Sequence, residues 1–287
     1  MTELQQKLFD ILKEVVRVCD ENNIAYYLFA GSCLGAIRHK GFIPWDDDID
    51  IAMPRKDYDK FIKLQDKFPK NMFIQTYHSD KHFYYNYCRV RNSDTTFIQK
   101  HFVNHDINAG CWVDVFPLDG AYKKAPKNLK IFAPNVMLYW FHSWLMYPNS
   151  LHTRIRKEST FLDIVQNFVA GLFFPLNCFN WMNHLMDKII QRKSYDKCEI
   201  IGNYCGLNPK KEAMPKKFFG EPVYGEFEGL KVKLPSDWDG YLKHYYGDYM
   251  TPPPVEKQIP HHYNFGVDLT MGFEEYRKQK KANKKTR

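Results

Sequence analysis

Trp45-Asp46-Asp47-Asp48-Ile49-Asp50-Ile51-Ala52-Met53 is the stretch from which the fold and the chemistry of this 287-residue chain are read. From Asp48 to Met53 the residues alternate: Asp48, Asp50 and Ala52 on one side, Ile49, Ile51 and Met53 on the other. That period of two predicts a strand with one face in a core. Pro54 ends it. Four carboxylates within five residues repel one another, which gives the fold nothing unless a cation meets them. Asp48 and Asp50, neighbours on the non-core face, are spaced to share a hard divalent ion such as Mg²⁺ through oxygen ligands. A solvated acidic loop is the bland alternative, and fusion to a strand with an apolar back argues against it.

Upstream, Ile24 to Ala30 is an apolar run suited to a buried strand, which Gly31-Ser32 breaks. Ser32 is expected to cap a short helix from Cys33 to Arg38. Backbone N–H groups at Gly31 and Ser32 can then hold phosphate oxygens beside the metal. A loop follows over His39 to Trp45. Downstream, Asp114 stands alone in the apolar strand Cys111 to Phe116, where a carboxylate is costly to bury without a cation or donor. It is expected to be a third metal ligand, or also the base for an attacking hydroxyl. Pairing with backbone amides or an arginine is the alternative.

Arg38 precedes the acid cluster, and Arg89 and Arg91 share a strand face with Tyr85 and Tyr87. These arginines suit a phosphate-bearing ligand, although pairing with the acids would explain them nearly as well. Asp47, and Lys257, His261 and His262 after the rigid Pro252-Pro253-Pro254 segment, are further site candidates.

The remaining elements give an α+β class. An amphipathic helix covers 2–22, with Thr2 and Gln5 as its capping box. Helical spacing resumes from Lys56 to Phe68, and strands are expected at 73–77, 84–91, 223–227 and 230–234. Pro117-Leu118-Asp119-Gly120 reads as a turn. A last helix starts at Ser236, with Asp239 completing a capping box and Gly247 as its stop. The middle, about 128–195, is helical and rich in large apolar residues, with patches such as Phe168 to Leu176. It is either a subdomain packed on the sheet or a surface resting on a membrane near a lipid-linked substrate. The organisation is a catalytic core over 1–125, an inserted mainly helical subdomain over 126–217, a part completing the site over 218–270, and a basic, solvated and disordered tail over 271–287.

Composition narrows the function. Hydrophobic residues make up 44% and charged residues 26%, as in a folded soluble protein. A net charge of +8, partly in the tail, does not call for nucleic acid. Seven cysteines without a CxxC pair exclude a zinc ribbon or a thioredoxin-type centre and fit free thiols in a reducing compartment. No signal-peptide pattern and no spanning apolar run occur, so the expected location is cytoplasmic, with peripheral contact at the inner face of the membrane as the limit.

At these same residues the chain resembles the LicD family of phosphorylcholine transferases, whose eukaryotic relatives include fukutin and fukutin-related protein. The resemblance rests on Leu28-Phe29-Ala30-Gly31-Ser32-Cys33-Leu34-Gly35-Ala36-Ile37-Arg38-His39-Lys40-Gly41-Phe42-Ile43-Pro44-Trp45 and the aspartates after it. It continues in Met53-Pro54-Arg55-Lys56-Asp57-Tyr58 and returns at Trp112-Val113-Asp114-Val115-Phe116-Pro117-Leu118-Asp119-Gly120. Tyr246-Gly247-Asp248-Tyr249-Met250 is similar to the family's C-terminal end, and residues 125–215 match poorly. The resemblance implies a nucleotidyltransferase-like mixed sheet flanked by helices. It further implies Mg²⁺ (or Mn²⁺) on Asp48, Asp50 and Asp114, with Asp46 matching a motif acid. The implied donor is CDP-choline or another CDP-activated alcohol. The implied acceptor is a sugar hydroxyl of a glycan or lipid-linked oligosaccharide, as in teichoic acid, lipopolysaccharide or capsule. Two rivals stand beside it: a nucleotidyltransferase that releases pyrophosphate, and an inactive glycan- or membrane-binding scaffold.

Overall fold

The structure, a computed structural model, describes residues 1–99, 102, 107–123, 178–205, 209–260, 262 and 264–285, with isolated positions between 128 and 172. The helical middle expected over 128–195 lies outside the described residues except for those positions and its end from residue 178 onward. Most of the Phe168–Leu176 patch and His261 lie outside them too.

The described chain is mixed α/β. Its strands are β1 (Tyr27–Leu28), β2 (Asp50–Pro54), β3 (Met72–Gln75), β4 (Cys88–Asn92), β5 (Thr96–Gln99), β6 (Cys111–Gly120), β7 (Ile200–Gly202), β8 (Ala213–Pro215), β9 (Val223–Phe227), β10 (Leu230–Leu234) and β11 (Asn264–Asp268). One curled sheet runs in the order β1-β2-β6-β4-β3, and β7 and β8 extend it from the end of β6. At its centre β2 and β6 are parallel, in register from Asp50 opposite Asp114 to Pro54 opposite Leu118. The neighbouring pairs are antiparallel, as are the β9–β10 hairpin and the β5–β11 ribbon.

β6 reads as a near-continuous apolar run because layers cover both of its faces. Cys111, Val113, Val115 and Leu118 have no exposed surface. The strand also continues through 117–120, where a turn was expected. Asp119 there is buried, and Arg55 donates to it from Nε at 2.9 Å and Nη2 at 2.5 Å. This two-pronged ion pair satisfies the carboxylate inside the sheet, so the chain has no need to turn to solvent.

Helix α1 (Glu3–Glu21) has the expected capping box: Gln5 N donates to Thr2 Oγ1 at 3.1 Å, and Thr2 N to Gln5 Oε1 at 2.9 Å. Leu8, Ile11, Leu12, Val15, Val18 and Cys19 form its buried stripe, packed on the sheet. Helix α2 (Ala30–Arg38) starts three residues earlier than expected, with Phe29 as N-cap and no side-chain cap. The buried strand expected over 24–30 therefore shrinks to β1. Ala30 takes a left-handed φ of +43° and is held there by its N–H donating to the Tyr241 hydroxyl at 2.8 Å. Helix α3 (Arg55–Phe61) is shorter than expected and gives way to one 3₁₀ turn at Gln65–Lys67.

Two further helices are α4 (Cys178–Ile190) and α5 (Trp238–Tyr246). Asp237, not Ser236, caps α5 by accepting from Gly240 N at 2.9 Å; Ser236 Oγ instead accepts from Gly220 N at 2.9 Å. Gly247, at φ +72°, ends the helix where a stop was expected. The basic tail is helical, not disordered: α6 spans Phe273–Lys285. Glu274 and Glu275 in its first turn complement the helix dipole, and β11 ties the segment to β5. Among the described residues no helix is long and apolar enough to cross a membrane, and six cysteines are free thiols.

Candidate active site

The acid cluster sits where the loop after α2 enters β2. The strand begins at Asp50, two residues later than its alternation suggests, although Asp114 N already donates to Ile49 O at 2.9 Å. Parallel register sets Asp114 directly beside Asp50. Asp46, Asp47 and Asp48 precede the strand and each offer an oxygen within 4.8 Å of the others. Ser32, the expected cap and phosphate cradle, is buried; its Oγ accepts from Asp50 N at 2.8 Å, and its own N–H goes to Phe29 O. Ser32 thus fixes the strand entrance. Gly31 makes room for an acid, since a Cβ there would lie 2.8 Å from Asp46 Oδ2.

Asp114 is held from two sides. Arg89 Nε donates to Oδ1 at 2.6 Å and Trp112 Nε1 to Oδ2 at 3.0 Å. Each oxygen keeps a lone pair for a further partner, but the orientation of the group is set. Arg89 is 2% exposed and also donates to Gln99 Oε1 at 2.6 Å and Tyr87 OH at 3.2 Å. Its guanidinium lies 4.4 Å from the Trp112 ring centroid and 5.1 Å from that of Tyr85. The strand expected over 84–91 begins only at Cys88, so Tyr85 and Tyr87 precede it and share no strand face with Arg89; their rings stack on each other and pack against its guanidinium instead.

The phosphate role expected of Arg89 and Arg91 is therefore replaced by internal pairing. Arg91 Nε and Nη1 donate to Gln75 Oε1 and Gly110 O, both at 2.6 Å. Burial, and then the charge of Arg89, push the Arg91 guanidinium down to about 9.

A cleft of about 470 Å³ opens over the acids, lined among others by Gly31, Arg38, Trp45, Asp46, Asp48, Asp50, Tyr245, Tyr246 and Asp248. Arg38 faces this cleft, its Nη1 donating to Tyr249 O at 2.7 Å. His262 is not part of the lining and stands beside Asp47. Its backbone N–H donates to Asp47 Oδ2 at 3.1 Å and its Nδ1 lies 3.0 Å from Asp47 Oδ1 and 3.9 Å from Asp48 Oδ2. Lys257 is exposed and does not line the cleft. Tyr245, Tyr246 and the support residues Trp112 and Gln99 were not singled out from the sequence. For Tyr246 and Trp112 the available signal was their place in the quoted stretches.

Mutual repulsion and burial dominate the electrostatics of the cluster. Burial and the charges of Asp46 and Asp114 push the Asp48 carboxyl well above its usual range. Burial and the charges of Asp48, Asp114 and Asp46 do the same to Asp50. Burial and Asp47 also raise Asp46, against its hydrogen bond with Asp48. A set of all-oxygen donors that repel when ionised fits Mg²⁺ or Mn²⁺.

The sign of the pH dependence follows. A raised carboxylate loses its proton from the unfolded chain first, so the fold loses stability as pH climbs above the usual carboxylate range. His262 adds to this. Burial opposes its protonation, but Asp47 and Asp48 outweigh burial and raise it, so its contribution is also lost as pH rises through its folded value. In a chelator, the melting temperature should fall from pH 5.5 to pH 8, as read by scanning fluorimetry. A melting temperature that rises over that range would contradict this electrostatic picture.

Residues 23–150 match the profile described as LicD/FKTN/FKRP, nucleotidyltransferase domain. The lipopolysaccharide cholinephosphotransferase LicD of Haemophilus influenzae is 28% identical over 282 residues, covering 91% of this chain and 96% of that protein. An uncharacterised protein of Rickettsia prowazekii is 30% identical over 93 residues, 32% of this chain and 34% of its own.

Proposed function

We propose, from the premise that this chain belongs to the LicD family through residues 23–150, that it transfers phosphocholine from CDP-choline to a sugar hydroxyl of a surface glycan such as lipopolysaccharide. The observation that carries the reading is the gathering of acids at one cleft: Asp46, Asp48 and Asp50 line it, and Asp114 stands in parallel register beside Asp50 on the adjoining strand. The nucleotidyltransferase-like character of the sheet is part of the proposal and is supported by the matched profile.

Asp48, Asp50 and Asp114 would hold Mg²⁺ or Mn²⁺, with Asp46 beside them. Bound there, a divalent ion supplies neutralisation of the donor's phosphate charge. Arg38, which lines the same cleft, binds donor phosphate oxygens, and Gly31 lets the chain approach closely. Arg89 and Trp112 orient Asp114, which suits it to a ligand role more than to that of a base. His262 braces Asp47 and ties the C-terminal part to the acid loop. The site is thus built from 1–125 and 218–270. The insertion is better bounded before Ile200, because β7 and β8 join the main sheet.

The test is incubation with Mg²⁺ and, in turn, CDP-choline, CDP-glycerol and CDP-ribitol. Release of CMP with CDP-choline preferred is the expected result. Preference for another CDP-alcohol would replace choline. Failure of all three donors in a folded protein would refute phosphotransfer, and pyrophosphate release from CTP would favour nucleotidyl transfer.

A further inference from the structure

Behind the cleft wall lies a carboxyl group that the roles above leave unused. Glu212 ends a single helical turn, Pro209–Glu212, just before β8, and its carbonyl accepts from Asn203 N at 3.2 Å. Its side chain is 4% exposed. Oε1 accepts from the Tyr245 hydroxyl at 2.8 Å, whereas Oε2 is buried with no hydrogen-bond partner among the described residues. Folded proteins seldom keep a buried carboxyl so poorly satisfied without a reason. Tyr245 itself lines the cleft together with Asp50. Tyr245 therefore belongs both to the cleft wall and to a hydrogen bond with a buried carboxyl outside the acid cluster.

We propose that Tyr245 and Glu212 form a proton relay for the acceptor hydroxyl, Tyr245 meeting the hydroxyl and Glu212 standing behind it as the positioning residue that takes the proton. The relay rests on the phosphotransfer reading, which needs a base. Both oxygens of Asp114 already have donors.

The acceptor oxygen forms the new bond to phosphorus, and the phosphorus–oxygen bond to CMP breaks with its electron pair going to CMP. The acceptor's proton passes to the Tyr245 oxygen while the Tyr245 proton passes to Glu212. Release of product returns Glu212's proton to solvent.

The surroundings suit this. Burial pushes the Glu212 carboxyl up to about 7, against the Tyr245 hydrogen bond, the nearby Asn203 amide and the charge of Lys211. A base poised near the working pH transfers protons most effectively. The ionisable groups facing Glu212 are Tyr245 and Lys211, with Cys205 and Asp50 within electrostatic reach. Lys211 also lies 5.6 Å from the Tyr245 ring centroid.

The test is Glu212→Gln in the full chain with CDP-choline, Mg²⁺ and a glycan acceptor. Glutamine still accepts from Tyr245 but takes no proton. The expected result is a fall in kcat of about 10²-fold or more, with KM for the donor unchanged and the acid limb near pH 7 lost. Tyr245→Phe should give a similar loss, and the double variant should be little worse than either single one, as for residues acting as a unit. An active Glu212→Gln enzyme with the wild-type pH profile overturns the relay and leaves the phosphotransfer reading standing. Should Glu212→Gln fail to fold, Tyr245→Phe decides: wild-type kcat and pH profile overturn the relay. A wild-type protein inactive with every CDP donor removes both readings.

Discussion

Asp48→Asn should lower turnover on the order of a thousandfold while the metal-free protein melts at a higher temperature than wild type. The first half follows from the proposed role of Asp48 as a cation ligand, since a metal centre supplies several kcal/mol of charge stabilisation and each ~1.4 kcal/mol is a factor of ten in rate. The second half follows from burial. Asp48 lies among Asp46, Asp50 and Asp114, and burial with its neighbours' charges raises its carboxyl well above the usual range. Removing that charge relieves repulsion in the empty cluster. The two halves together are diagnostic, because a merely structural aspartate would lose stability on substitution. Scanning fluorimetry in chelator and CMP release in Mg²⁺ check them. A variant that is both active and unchanged in melting would remove Asp48 from the site.

Arg89→Met should cost about 3–5 kcal/mol of stability, the range for removing one partner of a buried ion pair. Asp114 would be left buried with the Trp112 indole as its remaining donor, and Gln99 and Tyr87 would each lose a partner. Adding Asp114→Asn to Arg89→Met should recover much of the loss, because the stranded charge goes with it. Urea denaturation of the single and double variants measures this coupling. Arg89→Met within 1 kcal/mol of wild type would mean that the guanidinium does not carry Asp114's charge.

These two residues also mark how far the sequence could be read. The Asp48–Met53 alternation and the lone Asp114 between valines are local patterns, so the carboxylates and the strand faces were legible. The parallel register that sets Asp114 against Asp50 was not, since it depends on the long connection between β2 and β6. The arginines show the limit most clearly. Spacing suggests one strand face for Tyr85, Tyr87 and Arg89, but β4 starts after both tyrosines, and Arg89 turns inward to Asp114 and Trp112 of β6 and Gln99 of β5. Ser32 was read as a cap because its partner, Asp50 N, lies 18 residues away. His262 meets Asp47 across 215 residues, and Glu212 meets Tyr245 across 33, in a stretch without a motif. Tertiary pairing assigned these roles, and no local pattern carries it.

The most direct measurement is anomalous diffraction from crystals soaked in Mn²⁺. One strong peak is expected, bound by Asp48, Asp50 and Asp114 carboxylate oxygens at about 2.0–2.2 Å, the range of small hard divalent ions. A peak held by Asp46 and Asp47 alone, or no peak at saturating Mn²⁺, would contradict it.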